Sequence, residues 1–103
     1  MTVVEDARKD NATISELVAA ADLIKRGHQV YRSLASTGVD LLILKDHNEV
    51  VRVEVTTGRR DFKRDAISYP LHNRTSGRWD IIAVVLDGKT VLYFNKNKES
   101  VEP

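Results

Sequence analysis

The chain has 103 residues, of which 42% are hydrophobic and 30% are charged. This size and composition predict one compact globular domain and exclude a disordered chain. No apolar run approaches the roughly 18 residues that a membrane span needs, and the absence of cysteine excludes disulfides and a thiolate zinc site. Residues 1–10 are too acidic and polar for a signal peptide, so we expect a cytoplasmic protein.

The net charge is only +1, but it is unevenly distributed. Between residues 58 and 78, six basic residues oppose only Asp61 and Asp65, so that this segment carries +4 (six minus two) and the rest of the chain −3. A basic segment in a near-neutral domain predicts a surface that faces phosphate groups; the alternative is a solvated helix face or loop. The basic residues are Arg59, Arg60, Lys63, Arg64, Arg74 and Arg78.

The first predicted element is an amphipathic helix over residues 14–26. Thr13 and Glu16 have the spacing of a capping box, which predicts the N-terminus of the helix at that point. Apolar residues recur every three or four positions along it, and Gly27 is suited to a left-handed cap at its end. The polar ends of the chain, which we expect to fray, are residues 1–12 and 96–103.

Three strands are predicted next. Residues 28–34 are compatible with a strand, and the nearly continuous apolar run over residues 39–44 is typical of a strand covered on both faces. A turn at residues 46–48 leads into residues 49–57, where valines alternate with polar side chains. This alternation predicts a strand with one apolar and one polar face.

A short helix and two further strands complete the prediction. Residues 60–69 are compatible with a short helix that Pro70 ends. Residues 79–86 are apolar, and an Asp-Gly turn joins them to a strand over residues 90–94. The order α-β-β-β-α-β-β predicts an α/β domain with a mixed sheet flanked by helices and with residues 79–86 in the sheet interior.

Two carboxylates lie within predicted strands, where a charge is costly to bury. Asp40 precedes a run of four aliphatic residues, and Glu54 interrupts a valine-rich strand. If the two strands form a hairpin, Asp40 lies beside Glu54, and two carboxylates with a backbone carbonyl are suitable ligands for Mg²⁺ or Mn²⁺. The alternative interpretation pairs Glu54 with Arg52 or Arg32 on a solvated sheet face.

These elements together resemble the PD-(D/E)XK nuclease family, and among its members the small ones related to archaeal Holliday junction resolvases. The residues that carry the resemblance are the helix 14–26 with Glu16, the segment Gly38-Val39-Asp40-Leu41-Leu42 and the segment Val53-Glu54-Val55-Thr56-Thr57. The resemblance implies a restriction-endonuclease-like fold, a DNA substrate and a catalytic Mg²⁺ or Mn²⁺. It also implies a site built from Glu16, Asp40 and Glu54, in which Asp40 and Glu54 hold the metal.

The chain departs from the family at Thr56, which occupies the place of the motif lysine two residues after Glu54. That lysine stabilises developing negative charge, and the loss of one such group typically costs about 10²–10³ in rate. Thr56 offers a hydroxyl but no charge, so the predicted catalytic set becomes Glu16, Asp40, Glu54 and Thr56. Cations that could replace the lysine from other positions are Arg52, Arg59, Lys63 and Arg64.

Three functions fit these observations. The first is a metal-dependent endonuclease that acts on DNA, branched DNA included, and holds its backbone with the basic segment. The second, which Thr56 favours, is a catalytically inactive nuclease-fold domain that binds nucleic acid or serves in protein assembly. The third is a protein-binding domain that binds no nucleic acid. The two carboxylates within strands favour the first function, and the resemblance further implies a homodimer.

Overall fold

A computed structural model describes residues 7–32, 40–45, 48–70 and 78–103, with side chains from residue 12 onward in the first range. Within these residues the structure has one helix, α1, spanning Ala7–Lys25. The strands are β1 Gln29–Arg32, β2 Leu41–Lys45, β3 Glu49–Thr57, β4 Arg59–Asp61, β5 Ala66–Ser68, β6 Ile81–Leu86 and β7 Thr90–Phe94.

Five of these strands form one mixed sheet in the order β1-β2-β3-β6-β7. β3 and β6 run parallel, and the other neighbours in this sheet are antiparallel. β2 and β3 form the predicted hairpin, and β6 lies between β3 and β7, which confirms that the most continuously apolar strand is interior. The mixed sheet with its packed helix confirms the predicted α/β class.

Helix α1 ends where the sequence predicts but begins earlier. Gly27 has a φ of 92°, and the backbone N–H groups of Gly27 and its successor donate to carbonyls of the last turn, as in a Schellman cap. The helix begins at Ala7, so the predicted capping box at Thr13 is wrong. A nucleated helix gains one hydrogen bond per added residue, which favours its extension through this alanine-containing segment. No helix in the described part of the chain is long and apolar enough to cross a membrane.

Helix α1 packs on one face of the sheet. Ala19 and Leu23 are fully buried against a layer that includes Leu41, Ile43 and Val53 of the β2–β3 hairpin. Burying a leucine side chain stabilises a fold by about 2 kcal/mol, so this layer holds α1 across the sheet.

The opposite face of the sheet carries the polar positions of β3. Its core is formed around Ile82, Val84 and Leu86 of β6. In the register of β3 with β6, Glu54 is beside Ile82 and Thr56 is beside Val84, and neighbours across a ladder share a face. Glu54 and Thr56 therefore lie on the face that α1 does not cover.

The short helix predicted over residues 60–69 is wrong. β4 and β5 pair antiparallel there, as a two-stranded sheet separate from the main one. Asp61 starts the turn between them by accepting hydrogen bonds from the backbone N–H groups of Lys63 and Arg64, and Asp65 adopts a left-handed φ of 48°. Short acidic side chains compete with helix formation by such local bonds, an effect that the spacing of the apolar residues conceals.

The β4–β5 hairpin is anchored on the face that carries Glu54. A Cβ at Gly58 would overlap the side chain of Val84, so only glycine lets the chain cross β6 this closely. The Gly58 N–H donates to the carbonyl of Val85. On the other strand, the ring of Tyr69 stacks on Phe94 with centroids 5.7 Å apart, which also fixes the base of the hairpin.

The residues after β7 return to the domain. The Val101 N–H donates to the carbonyl of Tyr93 at 3.0 Å, and the carbonyl of Pro103 lies 2.9 Å from Nε2 of His28. The frayed end expected at residues 96–103 is therefore wrong for this part of the segment, because long-range backbone bonds hold it.

Candidate functional site

Asp40 and Glu54 meet at the end of the β2–β3 hairpin. The last paired residues are Leu41 and Val53, so the next residues along the two strands lie opposite each other. Oδ2 of Asp40 accepts a hydrogen bond of 2.8 Å from the Val55 N–H, which fixes this carboxyl group against β3. The two acids are neighbours, as the predicted hairpin requires.

Glu54 lies in surroundings that disfavour its charged form. Its pKa is raised from 4.5 to about 8, first by burial, then by the charge and hydrogen bond of Asp40, and finally by the charge of Glu16. Its Oε2 is buried and has no hydrogen-bond partner in the described structure. All of these influences act in the same direction, and no cation of the described residues opposes them, so this half-buried carboxyl group favours a proton or a bound positive ion.

Glu16 acts on this pair through its charge and has a cation of its own. Arg32 donates from Nε to Oε1 of Glu16 at 3.0 Å, and the neighbouring Ser15 hydroxyl is hydrogen-bonded to that of Thr57 at 2.7 Å. These bonds tie α1 to β1 and β3, and sequence reasoning missed them because the partners are 16 and 42 positions apart. The described residues contain no group of three or more acidic or histidine side chains arranged to bind a metal.

The alternative in which Glu54 pairs with an arginine is wrong. Arg32 binds Glu16, and Arg52 binds Asp80 through Nη2–Oδ1 and Nε–Oδ2 contacts of 3.0 and 3.2 Å. The Arg52 N–H also donates to Oδ2 of Asp80 at 2.8 Å, and the hydrogen bonds from Arg52 lower the pKa of Asp80. Neither arginine is among the groups that shift the pKa of Glu54.

Thr56 occupies the place that the family resemblance assigns to a lysine. It is buried, with 6% of its surface exposed, and it shares a strand face with Glu54. Of the cations considered as replacements, Arg52 is bound to Asp80, and the other three lie on the β4–β5 hairpin. Next to the carboxyl pair, the described residues thus place a small polar side chain and no cation that shifts the pKa of Glu54.

The basic residues between positions 59 and 64 lie on the β4–β5 hairpin. All four are exposed, but they are not equivalent. Arg60 donates to Oδ2 of Asp87 at 3.1 Å and so joins the hairpin to the β6–β7 turn. The Arg64 side chain makes a long ion pair of 3.7 Å with Asp61, within its own turn. The exposed basic residues are Arg59, Arg60, Lys63 and Arg64.

The other two predicted nucleic-acid contacts are Arg74 and Arg78. Arg78 is exposed, whereas Arg74 lies outside the described residues. The adjacent Trp79 is 4% exposed and belongs to the core, so its indole ring cannot stack on a base.

The donor set of the carboxyl pair fits Mg²⁺ or Mn²⁺. Mg²⁺ is commonly bound by one or two carboxylates and keeps several waters, so a third carboxylate is not required. The unpartnered Oε2 of Glu54 and the proximity of Asp40 are the features that a divalent cation would compensate. No thiolate or histidine ligand is needed for such an ion.

The fold is shared with a nuclease of known structure. The bacterial homing endonuclease I-Ssp6803I superposes with a TM-score of 0.67, over 95% of this chain and 80% of that one, at 15% sequence identity. No family model and no curated protein matches the chain. At this identity the similarity concerns the fold alone, and it confirms the nuclease-like α/β fold that the sequence resemblance implies.

Proposed function

We propose that this protein is a metal-dependent endonuclease that acts on DNA. The observation that carries the proposal is the Asp40–Glu54 pair, two adjacent carboxyl groups of which one has a buried oxygen with no hydrogen-bond partner among the described residues. Like charges held together without a cation destabilise a fold, and a divalent ion removes that cost. DNA as the substrate class is supported by the fold shared with a homing endonuclease and by the basic hairpin.

Each residue of the pair has a defined part in this proposal. Asp40 and Glu54 would hold the metal, and the backbone of Val55 orients Asp40. Glu16 strengthens the negative potential at the pair, and Arg32 holds Glu16 in place. Bound Mg²⁺ supplies an activated water and positive charge for the scissile phosphate.

The β4–β5 hairpin binds the DNA backbone. Arg59, Lys63 and Arg64 are exposed on it, and pairing such cations with phosphates releases counterions, so that affinity falls with salt. The hairpin leaves β3 at Gly58 and crosses Val84, on the sheet face that also carries Glu54. DNA on the hairpin therefore lies on the same side of the sheet as the carboxyl pair.

The finer parts of the proposal rest on the sequence resemblance. They are membership of the PD-(D/E)XK family, a preference for branched DNA and assembly as a homodimer. Light scattering on the purified protein tests the dimer. Competition between a four-way junction and duplexes of the same sequence tests the preference.

Nicking assays on plasmid and junction DNA with Mg²⁺ or Mn²⁺ test the carboxyl pair. Asp40→Asn and Glu54→Gln keep the size of each side chain, and each should lower the nicking rate by about 100-fold or more. DNA affinity should be unchanged or higher, because a negative charge is removed. Glu49→Gln is the matched control, since Glu49 is an exposed acid on the same strand. Full activity in Glu54→Gln would contradict the proposal.

Thr56→Lys tests the departure from the family motif. It places a cation two residues from Glu54 on the same strand face, where the carboxyl pair stabilises its charge. The nicking rate should rise above that of the wild type. If neither the wild type nor Thr56→Lys nicks DNA with either metal, and calorimetry detects no ion binding, the endonuclease proposal is wrong.

A second candidate is a catalytically inactive module on the same fold, which binds nucleic acid or serves in protein assembly. It is favoured by the buried threonine at the lysine position. Binding of DNA that weakens with salt, without any cleavage, would support it. The triple change Arg59→Ala, Arg60→Ala and Arg64→Ala should then reduce both affinity and its salt dependence. Unaltered affinity after that change would favour a protein partner.

A further inference from the structure

The tip of the β4–β5 hairpin presents a large aromatic side chain to solvent. Phe62 is 86% exposed, more than the other exposed large hydrophobic residues of the described structure, such as Ile24 at 60% and Leu17 at 56%. The hydrophobic gain of burying such a ring is not realised within the chain. A surface of this kind is typical of a contact with a partner.

The tip holds this ring on an ordered turn. Oδ1 of Asp61 accepts hydrogen bonds from the N–H groups of Lys63 and Arg64 at 3.2 and 3.3 Å, and Asp61 pairs with Ala66 to close the hairpin. A side chain presented on an ordered turn loses little conformational entropy when it binds.

The base of the hairpin is fixed to the domain at separate points. Arg60 is paired with Asp87 at 3.1 Å, Tyr69 stacks on Phe94, and Gly58 lies in close approach to β6. Force applied at the tip is therefore transmitted to the main sheet. A rigid support is what a side chain needs if it is to separate groups that are stacked on each other.

The charge around Phe62 indicates which partner the tip fits. Lys63 and Arg64 follow the ring directly, and Arg59 is exposed on the adjacent strand. Cations beside an aromatic ring match a nucleic acid, in which phosphates flank stacked bases. A two-stranded ribbon fits a DNA groove, and phenylalanine is among the residues that enter base steps as wedges.

We propose that Phe62 is a wedge that inserts between neighbouring base pairs of duplex DNA, while Lys63 and Arg64 bind the phosphates on either side. This inference rests on the proposed DNA-binding function and adds the way in which the duplex is held. Insertion partly unstacks one step and kinks the duplex at that step. The wedge requires neither the metal nor cleavage.

Short duplexes that contain 2-aminopurine at one step each, mixed with protein in EDTA, test the wedge. Unstacking raises the fluorescence of this base, so wild-type protein should raise it at the inserted step. Phe62→Ala should abolish the rise and weaken binding about 10-fold or more. Because no charge changes, the salt slope should stay that of the wild type. Phe62→Trp should retain the rise.

Ile24→Ala is the control, because Ile24 is a large hydrophobic residue with 60% exposure on α1, which covers the sheet face opposite to the hairpin; it should change neither affinity nor fluorescence. Wild-type affinity in Phe62→Ala, or weaker binding with the fluorescence rise intact, would overturn the wedge. Wild-type protein that binds and nicks DNA without any rise at any step would overturn the wedge alone. Absence of DNA binding by the wild type would remove the proposed function as well.

Discussion

Strand β3 carries two side-chain pairs of opposite character only two residues apart. Arg52 is paired with Asp80, and Glu54 lies beside Asp40 on the same strand face. The first pair has opposite charges, and Asp80 accepts three hydrogen bonds from Arg52. The second has two acids and a buried oxygen that no described residue hydrogen-bonds. One face of β3 therefore carries an ion pair whose charges balance, next to two acids whose charges repel each other.

This difference is the basis of the metal-binding proposal. The Arg52–Asp80 pair compensates its own charges and can remain as it is in any solution near neutral pH. The Asp40–Glu54 pair raises the free energy of the fold whenever both groups are ionised. A cation bound between the two groups would lower that free energy. Perturbed carboxyl groups of this kind are concentrated at functional sites.

The largest expected effect in a test of this contrast is stabilisation by Mg²⁺. At pH 8, with free Mg²⁺ at about 100 times its Kd, the free energy of unfolding of the wild type should rise by about 2.7 kcal/mol. Asp40→Asn and Glu54→Gln should lose this gain, whereas Asp80→Asn should keep it. Urea denaturation with Mg²⁺ and with EDTA measures the difference. An equal gain in Glu54→Gln would place the ion elsewhere.

A smaller effect is expected from pH in the absence of metal. The pKa of Glu54 is raised from 4.5 to about 8 in the folded protein, so between these values the folded state binds a proton that the unfolded state has lost. The contribution is therefore fully present below pH 4.5 and is lost as pH rises through 8. A pKa change of one corresponds to about 1.4 kcal/mol of stability. Because solvent screens this half-buried group, we expect the whole pKa change of Glu54 to contribute about 2 kcal/mol.

Glu54→Gln is the variant that measures this contribution. Its stability relative to the wild type should increase from pH 5 to pH 9, as followed by urea denaturation in EDTA. Glu49→Gln, which changes an exposed acid on the same strand, should show no such trend. A constant difference between Glu54→Gln and the wild type across this range would show that Glu54 is not linked to folding.

The smallest expected effect on stability is at the Arg52–Asp80 pair. Asp80→Ala should cost about 1 kcal/mol at neutral pH, because the Arg52 and Asp80 side chains are 40% and 41% exposed. The pKa of Asp80 is lowered from 3.8, so this contribution is present above pH 3.8 and is lost as pH falls through the folded value. Arg60→Gln, at the outer Arg60–Asp87 pair, should cost less than about 0.5 kcal/mol. If Asp80→Ala lowers the free energy of unfolding as much at pH 2 as at neutral pH, the Arg52–Asp80 ion pair is not the source of this stability.

The correct sequence predictions concern short-range patterns. Residues 49–57 and 90–94 are strands with the predicted bounds, since alternating side chains and an Asp-Gly turn act over a few residues. The proximity of Asp40 and Glu54 was also predictable from nearby residues, because a single hairpin aligns the two positions. The nuclease-like fold was inferred from the order of such elements together with three short motifs.

The wrong predictions arise where two local preferences compete. Residues 60–69 have helical apolar spacing, yet Asp61 and Asp65 stabilise a tight turn, and Ile67 and Tyr69 pack on the sheet. The sequence of residues 60–69 alone does not show that these two side chains pack on β6. The same limit applies to the start of α1, which extends past an apparent cap at Thr13.

By itself, the sequence determined the α/β class, the β2–β3 hairpin and the presence of two acids at its open end, because each depends on residues that are close in the chain. Only the tertiary structure decided the state of those acids. Arg32 binds Glu16 and Arg52 binds Asp80 across separations of 16 and 28 residues. Among the described residues these pairings leave no cation at Glu54, and the burial that raises its pKa comes from packing of distant strands. Charge compensation and desolvation are sums over the whole fold, so local sequence patterns cannot determine them.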